Sequence, residues 1–126
     1  MNKILSVAPV LLVRDVVKSA DYFRDKLGFS YDRFWGEPPN FCMVRRDGLT
    51  VMLSQAPKKA ELLPHWRVVN NMWNVYFWVE DVEVLYNEYQ KSGAKIDYKL
   101  GLKPYGVKEF GIQDLDGHDI AFGQLV

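Results

Sequence analysis

The sequence predicts an α+β fold built from two βαβββ modules, and three observations carry that reading. A strand-then-aspartate motif occurs twice, 66 residues apart: Val10-Leu-Leu-Val-Arg-Asp15-Val16 and Tyr76-Phe-Trp-Val-Glu-Asp81-Val82. Each copy runs into a helical apolar period closed by glycine, and each half ends in two extended runs around an Asp-Gly dipeptide. A first module over about 4–56, a connecting segment over about 56–72 and a second module over about 73–126 make the 126 residues a single duplicated domain.

Asp15 and Asp81 suit N-caps, because an aspartate carboxylate accepts from the free N–H groups of a first helical turn. Beyond them Val16, Ala20, Phe23 and Leu27, and Val82, Leu85, Tyr86 and Tyr89, recur at three- and four-residue spacing. Gly28 and Gly93 are the predicted stops, and Phe29 and Ala94 begin new extended segments. The predicted hairpins pair 41–46 with 50–55 around Asp47-Gly48, and 107–113 with 119–124 around Asp116-Gly117. The segment before the first aspartate reads as a first strand; the other reading of Ile4 to Val13, a short signal-peptide core, leaves the repeat without its opening strand.

Sixteen basic and sixteen acidic side chains cancel, so the basic footprint that nucleic acid or an anionic membrane requires is missing. One cysteine, Cys42, excludes an intrachain disulfide framework and a clustered thiolate zinc site, which suits a reducing cytoplasm. Neither a nucleic-acid nor a membrane partner is expected.

Strand alternation separates two faces. One set is apolar throughout: Leu11, Val13, Val51, Leu53, Val75, Phe77, Val79, Phe110, Ile112, Ile120 and Phe122. This face should carry the helices, with Cys42 among them as a small hydrophobe. The opposite set mixes Ala8, Val10 and Leu12 with Thr50, Met52 and Ser54, Asn74, Tyr76 and Trp78, Glu109, Gly111 and Gln113, and Asp119, Ala121 and Gly123. Such a face is either the wet side of an antiparallel sheet or a concave ligand site, in which apolar burial gives affinity and a few polar groups fix orientation. Met52, Tyr76 and Trp78 together favour the site.

These residues resemble the vicinal oxygen chelate superfamily, which includes glyoxalase I, extradiol dioxygenases and bleomycin resistance proteins. The likeness runs from Ser6 to Gly123 and is nearest to the bleomycin resistance proteins, through Pro9-Val-Leu with Arg14-Asp15-Val16, Asp25-Lys-Leu-Gly-Phe-Ser30, Val44-Arg-Arg-Asp-Gly and Pro104-Tyr-Gly-Val-Lys-Glu-Phe110. The resemblance implies a curved mixed sheet with helices on its convex face. It also implies a homodimer of small subunits, with the first strand exchanged between partners in some members, and binding without covalent chemistry. The superfamily's enzymes hold a divalent metal at four strand positions, which carry over to Ala8, Met52, Asn74 and Ala121. None is a usual ligand for a hard or borderline cation, so no metal and no other cofactor is expected, and no catalytic residue is assigned.

His65 and His118 are read as exposed or locally hydrogen-bonded, with a non-standard metal site as the other reading. Ser54 lacks the context of a nucleophile. The resemblance places a stacking aromatic at Tyr105 before Gly106, where the bleomycin resistance proteins have tryptophan, and Phe34 and Trp35 lie near the opposing wall. The expected function is a small-molecule binding protein, sequestering a partly aromatic antibiotic or metabolite in a homodimer cleft. Phe34, Trp35, Met52, Ser54, Asn74, Tyr76, Trp78, Tyr105 and Glu109 are the candidate ligand residues. A lyase or dioxygenase with displaced metal ligands is the alternative, and a dimer serving interaction alone is a third reading. Overall neutrality argues against electrostatic capture of a cationic glycopeptide such as bleomycin.

Overall fold

A computed structural model describes residues 2–126, which divide into two compact units, one ending at residue 62 and the other spanning 63–126. The first contains β1 (Val10–Val13), α1 (Val16–Leu27), β2 (Phe34–Trp35), β3 (Phe41–Arg46) and β4 (Leu49–Gln55). After a single 3-10 turn at His65–Arg67, the second contains β5 (Val75–Trp78), α2 (Val82–Ser92), β6 (Lys95–Lys103), β7 (Val107–Gln113) and β8 (Asp119–Leu125). Each unit makes a four-stranded mixed sheet, in the order β1-β4-β3-β2 and β5-β8-β7-β6. The duplication extends to register: Leu11 pairs with Leu53 in the parallel β1–β4 ladder, and Phe77 pairs with Phe122 in β5–β8.

Both helices begin where a side chain from the last strand of the unit meets them. Asp15 Oδ1 accepts from the Lys18 N–H at 3.0 Å and Asp81 Oδ1 from the Val84 N–H at 3.2 Å. The Val16 N–H donates to Gln55 Oε1 and the Val82 N–H to Gln124 Oε1, each at 2.9 Å. Two orphan donors at each helix start are thus satisfied in the same way. Gly28 and Gly93 end the helices in the left-handed region, at φ 75° and 83°, where a Cβ would be strained.

The apolar stripe of α1, Val16, Ala20, Phe23 and Leu27, is fully buried with Leu11, Val13, Val44, Val51 and Leu53. In the second unit Val82 and Tyr89 are buried with Phe110, Ile112, Ile120 and Phe122, and Leu85 and Tyr86 are half-buried. The Phe110 and Phe122 rings stack 5.2 Å apart, with Tyr89 edge-on to Phe122 at 5.3 Å. The expected helix-facing set is therefore the core, with Phe77 and Val79 only half-buried. Cys42 lies in it, fully buried, with burial pushing its thiol up to about 11.

One expectation needs correction. The extended segment after α1 is a single bridge, Ser30 to Arg45, followed by the two-residue β2, because residues 31–33 leave the ladder before pairing resumes at Phe34. Asp47-Gly48 does form the two-residue turn, with both residues at positive φ (52° and 78°). Asp116-Gly117 lies, as expected, between a strand ending at Gln113 and one starting at Asp119, which pair and leave a five-residue loop, 114–118. Asp114 folds that loop: its Oδ1 accepts from the Asp116 and His118 N–H groups, and its Oδ2 binds His118 Nδ1 at 2.7 Å.

Removing either aspartate cap should cost about 1 kcal/mol. Asp15→Ala and Asp81→Ala are each expected to lower the urea midpoint accordingly, and two unchanged midpoints would contradict the capping assignment.

Candidate functional site

The mixed face of the second unit is not a wet face. Glu109, Gly111, Asp119, Ala121 and Gly123 are all buried, Glu109 to 1% exposure. A carboxylate so placed needs donors, because burying it unpaired costs far more than burying an amide. Three phenols supply them. Tyr76 and Tyr105 donate to Glu109 Oε1 and Tyr98 donates to Oε2, each at 2.7 Å. Burial first, and the bond to Glu109 second, push all three phenols up, Tyr105 to about 12, so each stays a donor.

Two mid-strand glycines make this arrangement possible. Gly123 faces Glu109 across the β7–β8 ladder, and a Cβ there would overlap the Tyr76 hydroxyl. Tyr76 therefore reaches from β5 over β8 to β7. Gly111 faces Tyr98 across β6–β7, and a Cβ there would overlap the Tyr98 ring. Register irregularities in β6 flank Tyr98 on both sides, the kind of break that re-aims side chains beside a site.

Over this floor lies a cavity of about 600 Å³, lined among others by Trp73, Asp97, Tyr98, Tyr105, Glu109 and Asp119. The Trp73 indole N–H donates to the Tyr98 hydroxyl at 2.9 Å, and its ring meets Tyr76 at 4.7 Å. Lys103 places its ammonium over the Tyr98 ring, 4.8 Å from the centroid. The wall is thus aromatic and rigidly tied to one carboxylate. Asp119 is held differently: it is 5% exposed, and its Oδ1 has no hydrogen-bond partner among the described residues. Burial, and next the neighbouring Asp97, push its carboxyl up to about 6.

Of the expected ligand residues, the structure brings together Tyr76, Tyr105 and Glu109, with Trp78 against Tyr76 at 4.9 Å and 62% exposed. Asn74 is half-buried, and its Oδ1 accepts from the His65 N–H at 3.1 Å. Phe34, Trp35, Met52 and Ser54 belong to the first unit and are half-buried. There Trp35 borders a smaller hollow of about 170 Å³ with Arg33, Met43 and Arg45, and the Arg33 guanidinium covers its ring at 4.4 Å. Sequence reasoning missed Trp73, Asp97, Tyr98 and Asp119 as site residues. The available signal was the pair of glycines inside β7 and β8, which mark close approach of another group.

Both histidines make local bonds. His65 Nδ1 donates to the Trp73 carbonyl at 2.9 Å, and His118 is bound to Asp114. Among the described residues, one trio of metal-ligating side chains, Asp114, Asp116 and His118, has its ligand atoms within 4.8 Å of one another. Its Asp114 oxygens already accept from two N–H groups and the imidazole, which accounts for the cluster as a folded loop. The four positions that the resemblance assigns to a metal do not fit one: two alanines offer no donor atom, Met52 offers a soft sulfur, and the Asn74 oxygen is engaged by His65. No helix among the described residues is long and apolar enough to cross a membrane.

A twice-used βαβββ unit, its second copy carrying an aromatic, carboxylate-floored cavity, defines a duplicated α+β architecture. The profile described as the Glyoxalase/Bleomycin resistance protein/Dioxygenase superfamily matches residues 3–122, and the chain belongs to that superfamily. Among solved structures, it is similar to the bleomycin-binding protein from bleomycin-producing Streptomyces verticillus, crystallised with copper(II)-bleomycin. The two share 27% identity over 97% of both chains, with a TM-score of 0.72. TioX from Micromonospora sp. ML1 is 20% identical over 97% of this chain and 99% of that one, with a TM-score of 0.74. A glyoxalase-related enzyme from Clostridium phytofermentans is 17% identical over 99% and 98%, with a TM-score of 0.76. The last two likenesses are of fold. No curated protein matches the sequence.

Asp119 binds its proton more tightly folded than unfolded, so its contribution to stability is full below the ordinary value of 3.8 and is lost as pH rises through about 6. Asp119→Asn removes that loss. The variant's Tm relative to the parent should climb as pH rises from about 4 to about 7; a difference that stays constant over that range would contradict the assignment.

Proposed function

We propose that this chain is a small-molecule binding protein that takes a partly aromatic antibiotic or metabolite into the cavity above Glu109, without a resident metal. The carrying observation is the cavity itself: about 600 Å³, within the usual range of about 300–1,000 Å³ for ligand sites, and walled by Trp73, Tyr98 and Tyr105. The phenols are fixed by Glu109 before any ligand arrives, so little rotamer entropy remains to be lost on stacking. A flat ring laid against them gains about 0.5–1.5 kcal/mol per contact beyond its area burial. Sequestration is the role this reading assigns to the site. The likeness to the bleomycin-binding protein supports the binding reading over a catalytic one.

The working form in this reading is a homodimer in the cytoplasm. Ile4, Leu5 and Val7, and Val10 and Leu12 of β1, are exposed apolar side chains in one short stretch, with Ile4 at 95%. A second copy of the chain is the proposed cover for that stretch.

Tryptophan fluorescence titrated with flat aromatic antibiotics and metabolites should reveal at least one saturable ligand, bound equally well after dialysis against a chelator. Tyr105→Ala should weaken that ligand about fivefold, the equivalent of one stacking contact of about 1 kcal/mol. Indifference to the whole panel, or binding lost with the chelator, would overturn the proposal.

A further inference from the structure

The chain's charge sums to zero, but the cavity's does not. Its lining carries the carboxylates of Asp97, Glu109 and Asp119 against one ammonium, Lys103. Two of these charges are already occupied within the wall: Glu109 accepts three phenolic hydroxyls, and Lys103 lies over the Tyr98 ring. Asp119 differs, because it is 95% removed from solvent contact yet keeps Oδ1 without a partner while lining the cavity. A buried carboxylate oxygen in that state is worth satisfying with a donor, and a charged donor most of all.

We propose that Asp119, with Asp97 near it, is the recognition point for a protonated amine carried on an aromatic ligand whose flat part lies against Trp73, Tyr98 and Tyr105. This rests on the binding reading above and specifies its ligand. An organic cation suits the site better than a bare metal ion, because Asp97, Glu109 and Asp119 are not among the side chains whose ligand atoms cluster within 4.8 Å. Carboxylates spread along an aromatic wall suit an extended cation, which gains from ring faces and from charge together. A hydroxyl also donates to Asp119, but a neutral group leaves the buried charge uncompensated. Asp97 lies directly beside Asp119 and is exposed, so it adds a second negative charge whose attraction is weakened by salt.

The test is calorimetric titration at neutral pH with two matched pairs, tryptamine against tryptophol and 1-naphthylmethylamine against 1-naphthalenemethanol. Within each pair only the charge of the donor differs. The amines should bind about tenfold tighter than the alcohols, the equivalent of about 1.4 kcal/mol. Asp119→Asn should bring each pair to within about twofold by weakening the amine alone. Asp97→Asn, a change at an exposed side chain, should narrow the preference and should fold even if the other variant does not. Alcohols that bind as tightly as amines would overturn the amine assignment while leaving the binding reading in place. A preference untouched by both variants would also overturn it, by placing the amine elsewhere. If none of the four compounds binds, the amine assignment falls, while the binding reading is decided separately by the antibiotic and metabolite panel.

Discussion

A carboxylate buried to 1% exposure and held by three tyrosine hydroxyls is the constraint on which the second unit's surface is organised. Remove the phenols and Glu109 becomes an uncompensated buried charge; remove Glu109 and three phenols converge on nothing. The tyrosines come from β5, from β6 and from the turn before β7, so one side chain ties three separate pieces of chain to the sheet. Its consequence is a wall of aromatic rings whose positions are set by hydrogen bonds and not by the ligand. The two glycines are part of the same constraint, since neither Tyr76 nor Tyr98 could cross the sheet over a Cβ.

The two units show what duplication keeps and what it releases. Strand order, ladder register, aspartate caps, glutamine caps and left-handed glycines are the same in both. These are the features that let a helix pack on a sheet. The mixed faces differ because nothing in that packing depends on them. In the first unit Val10 and Leu12 are exposed, and β2 is two residues long. In the second, the nine-residue β6 and the tyrosines close over the corresponding surface. Asp119 is then the exception within the closed face, a buried acid that the protein's own side chains leave half-satisfied.

The fold was legible because each of its signals is local. A cap aspartate, a three-and-four period and a stopping glycine act within one helix, and alternation sorts a strand without knowledge of its neighbours. The Asp114–His118 loop was placed by its Asp-Gly dipeptide and its flanking strands, but its internal geometry was not, because the Asp114 side chain anchors it through hydrogen bonds to residues two and four positions on. The site was half legible. Tyr76, Tyr105 and Glu109 were identifiable from alternation and resemblance, yet their hydrogen bonds join residues up to 33 apart in sequence. Tyr98 and Asp119 were missed because a register irregularity in β6 shifts one and because a net charge of zero says nothing about where the carboxylates gather.

The account stands on Glu109 as the hub of three donating phenols, and a pH titration of the tyrosine side-chain carbons by NMR measures that directly. Tyr76, Tyr98 and Tyr105 should remain protonated at about pH 11, above the ordinary range near 10, and should fall back toward that range in Glu109→Gln. Three phenols that ionise alongside the exposed tyrosines in the parent protein would contradict it.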